Sequence, residues 1–264
     1  MNFARINGVL LHYRLAGPVG APVVVLANSL GTDARIWDGV IAKLAGRYRV
    51  LSYDKRGHGL SDIPAGDYSL DDHLDDLMGL ADHLGITRFA LGGVSIGGLI
   101  AQGAALRAPE RLTALVICNS AAKSGDHAFW TARMEAVLER GVASIADGIM
   151  ERWFSPAFRA ERTEDLAGWR NMFLRSDARG YAATCATLRD ADLRERIGAI
   201  ALPSLLVAGG DDLAMPAAQV EATATAIAGA RYVVFPQVGH IPSIEAPDRL
   251  ADLMTEFFKE AGHG

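Results

Sequence analysis

The alternation of short apolar strands with helical segments constrains the fold of this chain more than any other feature. Runs rich in Val, Ile and Leu, typical of buried strands, lie at residues 23–27, 49–53, 89–93, 112–118, 204–209 and 231–235. Helical periodicity lies between them, at residues 70–84, 96–106 and 247–260. An Asn7-Gly8 pair near the start predicts a β-hairpin. Because neighbouring parallel strands need helical crossovers, this pattern predicts a mostly parallel sheet with helices on both faces.

The alternation is interrupted between about residues 122 and 202. This stretch is rich in Trp, Arg, Met and Ala, and its apolar periodicity is helical only. Because strands precede and follow it, we interpret it as a helical lid inserted into one α/β core. The predicted division is a core of residues 1–121 and 203–264 and a lid of residues 122–202, which suits a chain of 264 residues.

Composition and charge disfavour several classes of function. A net charge of −5 and a pI near 5.8 do not provide the positive field that nucleic-acid binding needs. We find no long apolar run and no charged leader, so we expect neither a membrane span nor a signal peptide. The distant Cys118 and Cys185 indicate reduced thiols in a cytoplasmic protein. No metal-ligand spacing or phosphate-binding loop occurs, and we expect neither metal nor cofactor.

The strongest chemical signal is the segment Gly93-Val94-Ser95-Ile96-Gly97. It directly follows a predicted strand and opens a predicted helix, which is the context that makes a GxSxG pattern informative. The sharp turn exposes the serine hydroxyl at a helix N-terminus, where developing negative charge is favoured. Ser95 is therefore predicted to be a nucleophile.

A serine nucleophile needs a base, and the base needs an orienting acid. His240 follows the last predicted strand and lies at the sheet edge where α/β sites form, while His58 in a glycine-rich loop is its rival. Asp211 and Asp212 both follow the preceding strand, and position alone leaves the choice between them open. The chain order of serine, aspartate and histidine is that of the α/β-hydrolase arrangement.

Two backbone N–H groups should form the oxyanion hole. One is expected from Ile96, which follows the predicted nucleophile. The other is expected from the loop after the first buried strand, with Leu30 as the candidate. In the nearby segment 54–62, Arg56 is expected to tie backbone carbonyls in a rigid turn. The carboxylates of residues 71–76 are expected to form a solvated helix face.

These motifs resemble the α/β-hydrolase superfamily along the whole chain, and within it the 3-oxoadipate enol-lactonases of the β-ketoadipate pathway. The general motifs are DKRGHGLSD, GVSIGG, GGDDLAMP and GHIPSIEAP. The more specific similarity lies in the loop NSLGTD at 28–33 and in the lid. The lid stretches that carry it are 119–123, Trp130, Arg133, 139–141, 151–154, 180–185 and 188–193.

The resemblance implies an eight-stranded, mostly parallel sheet and an acyl-enzyme mechanism without a cofactor. It implies that Ser95 attacks the lactone carbonyl, His240 acts as general base and Asp212, rather than its neighbour, orients the imidazole. The N–H groups of Leu30 and Ile96 would bind the oxyanion. The enol leaves, water hydrolyses the acyl-enzyme, and ketonisation yields 3-oxoadipate.

The implied substrate is a small lactone that carries a carboxylate, so a cation is expected beside the pocket. Trp130 and Arg133 share one side of a predicted lid helix, and Trp153 could supply an apolar wall. Lys123 and Arg189 are the next candidates for the cation.

Other readings stay open from sequence. The same fold and residues would serve a carboxylesterase, another lactonase, a carbon–carbon bond hydrolase or a perhydrolase side activity. A small-molecule receptor built on a hydrolase pocket would differ by slow turnover. Whether the chain forms a homo-oligomer is also open.

Overall fold

The computed structural model describes residues 1–264, and its centre is one eight-stranded sheet in the order β1-β2-β4-β3-β5-β6-β7-β8. The strands are β1 (Asn2–Ile6), β2 (Val9–Ala16), β3 (Val23–Ala27), β4 (Arg49–Tyr53), β5 (Phe89–Val94), β6 (Leu112–Cys118), β7 (Ser204–Gly209) and β8 (Arg231–Phe235). Strand β2 pairs antiparallel with both β1 and β4, and all other pairs are parallel. The predicted fold class is confirmed.

Strands β1 and β2 form the hairpin predicted from Asn7-Gly8. Asn7 has φ 50° and Gly8 has φ 82°, the positive values that a tight hairpin turn requires at both central residues. The hairpin places an antiparallel edge on an otherwise parallel sheet.

Helices cover both faces of the sheet and also form the inserted segment. Their bounds are α1 (Asp38–Leu44), α2 (Leu70–His83), α3 (Ile96–Arg107), α4 (His127–Arg140), α5 (Ala146–Trp153), α6 (Pro156–Glu161), α7 (Thr163–Leu174), α8 (Ala178–Asp190), α9 (Ala217–Ala226), α10 (Pro242–Glu245) and α11 (Pro247–Glu260). Helices α4 to α8 all lie between β6 and β7 in the chain. No helix combines the length and the hydropathy that a membrane span requires.

Arg56 makes contacts that correct two expectations. Its guanidinium donates to both carboxylate oxygens of Asp76, at 2.7 and 2.8 Å, and to Asp72 at 2.8 Å. Asp76 is only 1% exposed, so the expected solvated face is wrong for this residue. Arg56 binds carboxylates rather than backbone carbonyls because Asp72 and Asp76 lie one helical turn apart, on the same face of α2.

Candidate active site

The turn between β5 and α3 presents Ser95 in a strained backbone conformation, with φ 60° and ψ −119°. Small residues make this turn sterically feasible. A Cβ atom on Gly93 would lie 2.2 Å from the carbonyl oxygen of Gly97, and one on Gly97 would lie 2.2 Å from the carbonyl oxygen of Ala27. The glycines of the motif therefore allow α3 to pack directly on the sheet while Ser95 faces the strands' carboxyl edge.

His240 and Asp212 form a buried pair at the same edge. The imidazole Nδ1 lies 2.8 Å from Asp212 Oδ2, and the two side chains are 4% and 0% exposed. A carboxylate oxygen can only accept, so Nδ1 carries the proton and donates it to Asp212. In the neutral ring this leaves Nε2 unprotonated, as a general base requires.

The loop after β7 distinguishes the two neighbouring aspartates. Asp212 Oδ1 accepts hydrogen bonds from the backbone N–H groups of Ala214 and Met215, at 2.7 and 2.9 Å, while its other oxygen faces His240. Asp211 is partly exposed, and its backbone N–H donates to the Val238 carbonyl at 2.9 Å. Asp212 is thus the aspartate that the structure joins to the histidine.

Residues that the sequence did not single out for this role hold the histidine loop. Asn119, just after β6, donates to the Gly239 carbonyl at 2.8 Å and accepts from the Gly209 N–H at 2.7 Å, so it connects the end of β7 to the loop after β8. The His240 N–H donates to the Trp153 carbonyl at 2.8 Å. In the sequence, only its position after a strand marks Asn119 as a candidate for this site, and Asn119 shares that position with Ser95 and Asp212.

Leu30 and Ile96, the two predicted oxyanion-hole residues, both lie near Ser95 in the fold. Ile96 is the first residue of α3, so its N–H has no acceptor within the helix. Leu30 lies in the loop after β3 and lines the same cavity as Ser95 and His240.

Both ring nitrogens of His58, the rival base, form hydrogen bonds with the backbone. Its Nε2 accepts the Gly31 N–H at 2.9 Å, and its Nδ1 donates to the Arg56 carbonyl, 3.2 Å away. Burial, and secondarily the neighbouring Lys55, hold the pKa of His58 well below its usual value. Since both ring nitrogens are occupied and the residue does not line the cavity, His58 is excluded as the base.

A cavity of about 280 Å³ lies over the carboxyl edge of the sheet, and the inserted helices supply much of its wall. About half of the residues that line it are hydrophobic, and they include both tryptophans predicted to contact substrate. Trp130 is 7% exposed and its indole N–H donates to the Ser124 carbonyl at 2.6 Å. Trp153 is 4% exposed and packs edge-on against Phe173. This mixed lining suits a small ligand that has both apolar and polar groups.

Two arginines line this cavity, and neither forms an ion pair. Arg133, the predicted cation, donates to the Tyr181 hydroxyl at 3.3 Å. Arg152, which sequence reasoning missed, comes from a different helix, and both guanidiniums lie over the Phe129 ring, at 5.2 and 5.9 Å from its centre. Burial and the positive charge of Arg133 lower the pKa of Arg152.

The alternative cations are engaged elsewhere. Lys123 Nζ donates to the carbonyls of Leu188, Arg189 and Ala191, the C-terminal end of α8. Arg189 pairs with Asp67 and Asp190. Neither is therefore as available to a substrate carboxylate as Arg133 and Arg152 are.

The fold and the site together define a hydrolase. Residues 22–247 match the model of the α/β hydrolase fold family, and the chain belongs to that family.

Within the family the chain is similar to enol-lactonases, as its motifs predicted. It is 35% identical to 3-oxoadipate enol-lactonase 2 of Acinetobacter baylyi, over 90% of this chain and 89% of the relative. The crystal structure of the enol-lactonase from Burkholderia xenovorans LB400 superposes with a TM-score of 0.95 at 38% identity, covering 98% of this chain and 100% of that one. A thermophilic esterase from Thermogutta terrifontis superposes with a TM-score of 0.93 at 27% identity, covering 99% of both chains.

Proposed function

We propose that this protein hydrolyses 3-oxoadipate enol-lactone to 3-oxoadipate, in the degradation of aromatic compounds, with Ser95, His240 and Asp212 as its catalytic triad. The observation that carries the proposal is the pair of unpaired arginines in the cavity that Ser95 and His240 line. A neutral ester needs no such charge, whereas a lactone with a free carboxylate does. The similarity to named enol-lactonases supports the same substrate.

The proposed mechanism begins with attack by Ser95 Oγ on the lactone carbonyl while His240 Nε2 takes the hydroxyl proton. Asp212 stabilises the imidazolium that forms. The Leu30 and Ile96 N–H groups bind the oxyanion, and its collapse breaks the ring C–O bond and expels the enol oxygen, which His240 protonates. An enol is a better leaving group than an alkoxide.

Deacylation then uses the same residues with water as nucleophile. His240 removes a proton from water, the hydroxide attacks the acyl carbon, and Ser95 leaves with the proton returned by His240. The released enol ketonises to give 3-oxoadipate. Trp130 and Trp153 are proposed to provide the apolar walls that keep the lactone ring in place.

The test of this function is steady-state kinetics with the enol-lactone beside p-nitrophenyl acetate, a neutral ester. We expect kcat/KM to favour the anionic lactone and the preference to weaken at high salt, because salt screens partly exposed charges. A faster reaction with the neutral ester would instead identify a carboxylesterase, and very slow turnover of both would identify a receptor.

Replacing Arg133 should separate anionic from neutral substrates. A hydrogen bond to a charged group contributes about 1.5–3 kcal/mol, so Arg133→Ala should lower kcat/KM for the lactone by roughly 10–150-fold. The neutral ester should lose little. Arg140→Ala, on the same helix but exposed and paired with Glu139, is the matched control. Equal losses on both substrates would indicate general damage to the lid.

Arg152→Ala should also lower kcat/KM for the lactone and change little for the neutral ester. The effects of the two substitutions on the free energy of activation should not be additive. If both guanidiniums bind one carboxylate, the double variant should lose less than the product of the single losses. Kinetics of the two single variants and the double variant with the lactone measure this coupling. Fully multiplicative losses would show that the two arginines act independently.

A further inference from the structure

The side chain of Lys55 is buried without a partner of opposite charge. It is 1% exposed and forms no ion pair, although lysines are almost never fully buried unless paired. Its Nζ donates to the Ser29 carbonyl at 2.5 Å. Burial holds the pKa of Lys55 well below its usual value, but an ammonium and a neutral amine both carry N–H donors, so this hydrogen bond survives in either state.

His58 holds the next peptide of the same loop. Its Nε2 accepts the Gly31 N–H at 2.9 Å, which only a ring unprotonated at Nε2 can do. Lys55 and His58 belong to one loop after β4, and each contacts one of the two peptide groups that flank Leu30.

Peptide planarity transmits these two contacts to Leu30. In a trans peptide the C=O and the following N–H point in opposite directions. Since the Ser29 C=O points toward buried Lys55, the Leu30 N–H points the other way. The Gly31 N–H points toward His58, so the Leu30 C=O is turned away from His58. Both peptides that flank Leu30 are thereby held in one orientation.

We propose that Lys55 and His58 are positioning residues that preorganise the Leu30 N–H for the oxyanion. The inference rests on the proposed acyl-enzyme function and adds the residues that keep its oxyanion hole formed. The second donor needs no such support, because α3 orients the Ile96 N–H. The Leu30 loop lies outside the sheet ladder. Within the loop, the Ser29 carbonyl also accepts the Thr32 N–H at 3.4 Å and the Thr32 hydroxyl at 2.9 Å, and Lys55 and His58 add contacts from a second loop.

Preorganisation of this kind acts on kcat rather than on KM. Loss of one oxyanion donor costs about 10²–10³ in kcat, because the donor binds the charge that develops in the transition state. Lys55→Met keeps the approximate length of the side chain and removes its donor. We expect it to lower kcat for p-nitrophenyl acetate by roughly 10–10³-fold and to leave KM within a few-fold.

His58 offers a matched pair of variants. His58→Leu removes the acceptor for the Gly31 N–H, whereas His58→Gln offers an amide oxygen in its place. We expect His58→Leu to lower kcat as Lys55→Met does, and His58→Gln to recover part of the loss. This pair keeps the proposal testable if Lys55→Met fails to fold.

Two measurements distinguish positioning from a loss of folded protein. Exhaustive labelling with a fluorophosphonate counts reactive serines, so that kcat is expressed per active site. Inhibition by phenylboronic acid, which forms a tetrahedral anionic adduct with the serine, reports on the oxyanion hole. In Lys55→Met and His58→Leu we expect the inhibition constant to rise in proportion to the loss of kcat/KM.

The outcomes separate this inference from the proposed function. Unchanged kcat per site and unchanged boronate inhibition in Lys55→Met and His58→Leu would overturn the positioning role while leaving the triad intact. A wild-type protein that neither reacts with fluorophosphonate nor binds the boronate would overturn the acyl-enzyme function, and the positioning role with it.

Discussion

Ser95→Ala should abolish lactone and ester hydrolysis, with a loss of about 10⁶ in kcat, while the protein stays folded. The alanine cannot form an acyl-enzyme, so only substrate binding and oxyanion stabilisation remain to accelerate attack by water. The substitution removes one hydroxyl oxygen and leaves the glycine packing of the turn unchanged. Steady-state kinetics and thermal unfolding, measured on the same preparation, test the two parts of this expectation.

Ser120→Ala is the matched control for Ser95→Ala. Ser120 is 2% exposed, and its side chain packs beside Gly98 of α3, the helix that Ser95 precedes. We expect its replacement to change kcat by no more than a few-fold. Substantial activity in Ser95→Ala would exclude the acyl-enzyme and favour direct attack by a water molecule that His240 activates.

Asp212→Asn should lower kcat by about 10⁴, whereas Asp211→Asn should have little effect. Asparagine can retain an acceptor for the backbone N–H groups of Ala214 and Met215, but its amide then faces the imidazole as a donor. His240 would then adopt the tautomer that accepts a hydrogen bond at Nδ1 and carries its proton on Nε2. That tautomer cannot remove the proton of Ser95.

The neighbouring aspartate supplies the control for this substitution. Both variants lose one negative charge from the same loop, so a difference between them reports contact with His240 rather than net charge. Kinetics at several pH values with the neutral ester would show the loss without interference from substrate charge. A damaging Asp211→Asn and a harmless Asp212→Asn would reverse the assignment.

The sequence determined most of the core because strand and helix periodicities follow from local backbone geometry. The predicted strands at 23–27, 49–53, 112–118, 204–209 and 231–235 coincide with those of the structure. Runs of β-branched residues that alternate with helical segments favour a parallel sheet. Because all parallel strands end at one edge of the sheet, the sequence also predicted that Ser95 and His240, which follow strands, lie at that edge.

Choices between neighbouring residues depended on more than local pattern. Position left Asp211 and Asp212 equivalent, and the resemblance to enol-lactonases favoured Asp212. In the structure, backbone N–H groups of the following loop hold the Asp212 carboxylate against His240. The division into core and lid remains a prediction, although α4 to α8 lie together between β6 and β7.

Only the tertiary structure decided which distant side chains meet. Arg152 and Arg133 lie on separate helices, and no periodicity relates them, yet both line one cavity. The burial of Asp76 by Arg56, and the contacts of Lys55 and His58 with the Leu30 loop, likewise join separate elements. Periodicity encodes which face of an element is buried, but the partner on that face is set by how the elements pack. The electrostatics of the cavity and the shape of the Leu30 loop therefore followed from packing.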